Sequence, residues 1–237
     1  MPEKNPPTKN SHKIRIITNV LKTALKLWLK SQVSQVSQLE VEIKASDHEI
    51  LSGSIPWVSI FASDAIYQGI KITQIQLVAE NIQVNIGSIL KGQQVRLLET
   101  VPVVANLLVE EKDLNSSLTS ELLSNALNDL VFKILPEYCL KYQQISWQNI
   151  ILGKNKIIFE AIISAANDPT PIEINLNLDL IGSHELKLEK IQVIQNKVPL
   201  LEDEHSYNLD LGSDVDIKEL TLIPGELICQ GRINVNP

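Results

Sequence analysis

The sequence predicts an α+β fold in which a highly curved antiparallel β-sheet wraps around two long amphipathic helices. Three observations predict it. Isoleucine, leucine and valine supply most of an apolar content of 44%, whereas aromatics make up 4%, so the interior is aliphatic and β-branched and suits strands. Two stretches, one ahead of residue 37 and one between residues 114 and 135, repeat apolar side chains at helical spacing. Much of the remainder alternates apolar with polar at a period of two, which gives each strand one dry and one wet face.

Residues 1–12 (MPEKNPPTKNSH) carry three prolines among polar side chains and read as a disordered leader, so a single domain is expected over residues 13–237. From Lys13 to about Val36, Ile14, Ile17, Val20, Leu21, Ala24, Leu25 and Trp28 share one helical face. Arg15, Asn19, Lys22, Lys26 and Lys30 line the opposite face, and Lys13 and Leu29 break the pattern. At about 1.5 Å per residue such a helix is roughly 36 Å long.

The period becomes two at Leu39, Val41 and Ile43. Further strands are expected within Ile72–Ile86, followed by a short helical turn in SILKGQ, and at Val103–Glu110. Leu114 to Leu135, closed by Pro136, predicts the second helix: Leu122, Leu123, Ala126, Leu127, Leu130, Val131 and Ile134 form its dry face. Ser120 suits an N-cap for its main segment, and Phe132 falls on the polar side. Beyond residue 142 the chain reads as wholly β, with strands at 143–152, 156–164, 172–180, 185–198, 215–222 and 227–235. Within the fourth of these the alternation slips between Leu188 and Ile191, as a β-bulge would cause.

Two helices cannot cover the dry faces of eight or more long strands, so aliphatic surface is left over as a groove. Its candidate lining is Val20, Leu21, Ala24, Leu25 and Trp28 from the first helix, and Leu123, Leu127, Leu130, Val131 and Ile134 from the second. The first helix has two readings, a core element with a solvated lysine edge or a membrane-surface anchor whose Lys22, Lys26 and Lys30 meet anionic headgroups. The GSIPWVSIF stretch also has two: ordinary core packing after a turn, or an apolar tip that brings Trp57 and Phe61 to a membrane.

Charge is distributed unevenly. Residues 1–36 hold seven Lys/Arg and one acidic residue, leaving fourteen basic and twenty-seven acidic residues on the rest of a chain whose net charge is −7. An acidic body without a broad positive face argues against nucleic acid as a partner. No signal peptide is apparent, and the lysine-interrupted apolar runs are too short to span a bilayer, so a cytoplasmic protein peripheral to a membrane is expected. Cys139 and Cys229 form no CxxC pair, and the four histidines, His12, His48, His184 and His205, are scattered. Asp210, Asp214 and Asp216, with Glu202, Asp203 and Glu204, match no calcium loop and read as a solvated acidic loop. There is no GxSxG, Walker loop or GxGxxG. No enzyme, metal or cofactor is therefore expected, and the oligomeric state is left open.

The run DLNSSLTSELLSNALNDL (Asp113–Leu130) resembles the signature segment of the LmeA-like phospholipid-binding family, formerly a domain of unknown function. Upstream, DAIYQGIKITQIQLVAENIQVNIGSILKG (Asp64–Gly92) and RLLETVPV (Arg96–Val103) are similar to that family's Tyr-x-Gly stretch, acidic-Asn strand, Gly-bounded turn and Val-Pro strand. The resemblance covers roughly residues 50–135; the C-terminal half matches in pattern only. It departs at Glu121, where the family has a proline, and in lacking the signal sequence of secreted members. The resemblance implies a tubular-lipid-binding-like fold and non-catalytic binding, with or without transfer, of a phospholipid or other acyl lipid at a transiently visited membrane surface. The alternative is a membrane-surface structural or scaffolding protein whose core is filled by its own side chains.

Overall fold

The computed structural model describes residues 10–89, 91–93, 96–136, 144–165, 168–203 and 206–237. Helix α1 spans Asn10–Gln32, so it takes up the last three residues assigned to the leader; residues 1–9 lie outside the described residues. Strand β1 (Gln38–Lys44) follows, then α2 (Asp47–Ser52), a helix the periodicity does not reveal. A capping box starts α2: the Ser46 backbone N–H donates to Glu49 Oε2 at 2.7 Å.

Strands β2 (Ser54–Tyr67) and β3 (Ile70–Gln83) form a long hairpin. Its two-residue turn places Gln68 and Gly69 at φ 49° and 81°, which matches the right-handed twist of the strands it joins. Gly69 is required there twice over, because a Cβ on it would lie 2.7 Å from Ser120 Cβ. The short α3 (Ile86–Ile89) takes the place of the expected SILKGQ turn, and β4 (Val101–Glu110) leads into α4 (Glu111–Ser116) and α5 (Glu121–Ile134).

The single helix expected over residues 114–135 is thus two. Ser117 breaks it, since its hydroxyl donates to the Asp113 carbonyl and accepts from the Lys71 backbone N–H at 2.8 Å, tying the end of α4 to β3. Ser120 then caps α5 by accepting from the Leu123 N–H at 3.2 Å.

The rest is antiparallel β: β5 (Gln144–Gly153), β6 (Lys156–Ala165), β7 (Asp168–Leu180), β8 (Glu185–Gln195), β9 (Val198–Asp203), β10 (Tyr207–Asp210), β11 (Val215–Ile223) and β12 (Glu226–Val235). The strand expected over residues 185–198 ends earlier, in a turn at Asn196 and Lys197, and of the expected acidic loop Glu202 and Asp203 lie in β9, Asp210 in β10 and Asp216 in β11, while Glu204 lies outside the described residues. The predicted bulge is present: Asn175 and Asn177 pair with Gln192 and Glu189, and Lys190 has φ 52°.

The expectation of one curved sheet around two helices is corrected. There are two open sheets, ordered β1-β2-β3-β4-β12-β11 and β10-β8-β7-β6-β5, with β9 pairing β8. Each has its own core. In the first, Leu21 of α1 packs with Ile55, Val58, Ile82, Val84, Val101 and Val103. In the second, Leu127, Val131 and Ile134 of α5 pack with aliphatic residues of β5 to β8, and Trp147 meets Phe159 edge-on at 6.1 Å. The sheets meet where the β11–β12 turn meets the β5–β6 hairpin, through Gly225 N–H to the Leu152 carbonyl (3.0 Å) and Asn155 N–H to the Leu222 carbonyl (3.2 Å).

Candidate functional site: an apolar cavity under the first helix

Alternation decides which side chains of the first sheet face α1. Val58 and Ile60 on β2 pair with Ala79 and Leu77 on β3, and Ala79 with Val103 on β4; all point to the α1 side, whereas Trp57, Ser59 and Phe61 point away. Between this face and the helix lies a cavity of about 660 Å³. That is within the range of ~300–1,000 Å³ of small-molecule sites. Its helix wall is Leu21, Leu25, Trp28 and Leu29, and its floor is Val58, Ile60, Leu77, Ala79 and Val103. At the end where β2 starts and β12 finishes, Ile55, Ile82, Val84, Leu97, Val101 and Val235 line it, and Arg96, Ile233, Asn236 and Pro237 complete the lining. It reaches the surface at Trp28 and Ile233, each 38% exposed, and at the exposed Arg96.

The ten residues expected to line one groove fall into separate places. Leu21, Leu25 and Trp28 line the cavity, and Ala24 packs beside them on the first core. Val20 is 45% exposed and turns outward. Leu123, Leu127, Leu130, Val131 and Ile134 belong to the second core, where buried side chains of β5 to β8 pack against them. The reason is the separation into two sheets, which gives α5 a dry face of its own to cover. The side chains of Ile14 and Ile17 lie outside those described.

Among the residues expected at a membrane, Lys30 is exposed on α1. Lys22 and Lys26 instead share a polar groove at the β1 edge with Glu40, Glu42, Phe61 and Gln76, so the protein's own carboxylates stand opposite part of the lysine stripe. Trp57 carries the Lys44 ammonium 4.0 Å above its ring. Neither Trp57 nor Phe61 is at an apolar tip; both lie within the wet face of β2.

Sequence reasoning missed most of the cavity floor and Arg96. The floor was signalled by the parity of residues 77, 79, 101 and 103 along their strands. Leu29, which seemed to break the helical stripe, lines the cavity and widens the dry face.

Burial of the Asp113 carboxyl pushes its pKa up, but the Lys71 ammonium and the Thr73 hydroxyl hold it down more strongly, and the net shift is below the usual value. Asp216 is lowered by Lys218 (2.9 Å) against burial, with Arg232 (3.0 Å) adding to it. Burial raises the Cys229 thiol, which makes it a poor nucleophile; Cys139 lies outside the described residues. Among the described residues no group of three or more His, Cys, Asp or Glu could hold a metal ion, and no helix is long and apolar enough to cross a membrane.

No curated protein and no solved structure matches the chain. The family model described as LmeA-like phospholipid-binding matches residues 13–232, which extends the resemblance from the central segments to a stretch running from α1 into β12. With the match spanning nearly the whole chain, the protein belongs to the LmeA-like phospholipid-binding family.

Proposed function

We propose that the protein works without catalysis, holding the acyl chains of a phospholipid in the cavity between α1 and the first sheet. The observation that carries this reading is the cavity itself: beneath α1 the described side chains leave about 660 Å³ lined mainly by Leu, Ile and Val. Hydrocarbon placed there gains about 0.8 kcal/mol per methylene removed from water, and no reactive group is needed. A lining of Leu, Ile and Val with few polar groups favours tolerance of acyl-chain length and unsaturation. On this reading residues 13–237 act as one lipid-binding unit, and the surface opening near Trp28 is where the lipid leaves and enters a membrane.

The scaffolding alternative draws support from the second core, where α5 and the strands pack buried side chains against one another. Organic extraction of the purified protein followed by mass spectrometry separates the two. Co-purifying phospholipid, or saturable uptake of labelled phospholipid, is the expected result. A protein that is empty and takes up none would sink the lipid reading.

A further inference from the structure

Arg96 is the one charged side chain among the described residues lining the apolar cavity. No described residue hydrogen-bonds or ion-pairs with its guanidinium, although the chain has 28 acidic residues against 21 basic ones. The other polar lining residue, Asn236, is engaged: Thr100 Oγ1 donates to its Oδ1 at 2.8 Å, and its Nδ2 donates to Asp214 Oδ2 at 3.3 Å. Nor is Arg96 on a loose loop. Asn85 N–H donates to the Arg96 carbonyl at 3.2 Å, Val84 bridges Leu97, and Leu98 N–H donates to the Gln83 carbonyl at 2.9 Å. These bonds extend the β3 ladder and hold Arg96 at the surface beside Leu97, which faces the cavity.

A guanidinium offers five donors in a planar fork that matches two oxygens of a phosphate. It is never neutral at ordinary pH, so an unpartnered one at the mouth of a hydrocarbon-lined cavity is a standing anion site. We propose that Arg96 binds the phosphate of the lipid whose acyl chains fill the cavity, and so selects glycerophospholipids over uncharged diacylglycerols. This rests on the lipid-binding reading above. The chains supply most of the affinity and Arg96 the head-group class, fixing the lipid with its phosphate at the opening.

The test compares phosphatidylglycerol with diacylglycerol of the same acyl chains, bound to the wild-type chain, Arg96→Gln and Arg96→Lys, with thermal melts to verify folding. Arg96→Gln is expected to weaken phosphatidylglycerol binding about tenfold, the scale of one charge-assisted contact, while Arg96→Lys loses less. Diacylglycerol binding stays the same in all three. An unchanged phosphatidylglycerol affinity, or an equal loss for both lipids, overturns the role of Arg96 and leaves the cavity reading standing. A wild-type chain that binds neither lipid overturns both. Glycerol 3-phosphate, which has the phosphate without the chains, should compete only weakly. Competition as strong as that of phosphatidylglycerol would mean a free phosphate ester is the ligand and overturn the proposal.

Discussion

The Lys71 ammonium sits 2.8 Å from the Asp113 carboxylate, which has no exposure to solvent. Lys71 belongs to β3 of the first sheet, and Thr73, two residues on, donates to the same carboxylate at 2.6 Å while accepting from the Glu110 N–H at 2.8 Å. Two residues beyond Asp113, the Asn115 side chain donates to the Ile150 carbonyl and accepts from the Ile150 N–H, each at 2.8 Å. Glu111 accepts from the Leu152 N–H at 2.7 Å. Six residues of α4 thus hold β3 with one carboxylate and the open edge of β5 with an amide and another carboxylate, making the helix a polar joint between the sheets.

Asp113→Asn leaves the joint's shape and removes its charge. The expected loss is about 3 kcal/mol, the low end for breaking a buried pair, because Lys71 retains 34% of its surface in solvent. A shift of the urea midpoint reads it. The pH dependence has a definite sign: the folded pKa of Asp113 is below its unfolded value, so the stabilisation is complete above the ordinary carboxylate range and fades as pH falls through the folded value. The wild type should therefore lose more stability on acidification than Asp113→Asn, and parallel pH profiles would contradict the assignment.

Asn115→Ala strips two hydrogen bonds from the β5 edge and leaves the Ile150 N–H and carbonyl without their partner. About 2 kcal/mol is expected. Amide exchange should locate the effect, with Ile150 losing protection well before the β6–β7 ladder does.

These residues lie in the segment DLNSSLTSELL, whose family likeness is visible in the sequence but whose task is not. The likeness implies phospholipid binding for the chain as a whole, whereas Asp113, Asn115, Ser117 and Ser120 build the joint and cap the next helix. Periodicity made the dry faces of α1 and α5 legible, together with most strands and the β8 bulge. It hid the break between α4 and α5, because Leu114 and Leu118 carry the apolar pattern across it. It also hid the division into two sheets, since alternation tells which face a residue takes and not which strand lies beside it. The pairing of Val101 with Val235 joins segments from opposite halves of the chain. Nothing in the sequence marks Arg96 as a site: an arginine in a polar connection has meaning only once the strands place an apolar cavity beside it.

The hairpin turn at Gly69 gives a sharp stability test. Gly69→Ala meets both a left-handed φ of 81° and a contact of 2.7 Å with Ser120 Cβ. A loss above about 1 kcal/mol is expected, more than the conformational term alone. A melting temperature equal to the wild type's would show that the turn relaxes freely from α5.

Filling and emptying the two cores should have opposite consequences. Leu77→Trp adds bulk to the cavity floor, so lipid uptake should fall sharply while the fold persists. Leu127→Ala, at 5% exposure in the second core, should cost about 3 kcal/mol and leave lipid affinity intact. Uptake assays beside denaturant titrations would expose either pattern being reversed.

The three tryptophans report on three sites: Trp28 on the cavity wall, Trp57 on the outer face of β2, and Trp147 in the second core. The most direct measurement replaces two of them at a time with phenylalanine and titrates each single-tryptophan protein with a phospholipid brominated along its acyl chain. Lipid held under α1 quenches Trp28 strongly and leaves Trp147 and Trp57 almost unchanged. Quenching of Trp147 as strong as that of Trp28, or saturable binding that leaves Trp28 bright, would contradict the placement of the lipid in the first-sheet cavity.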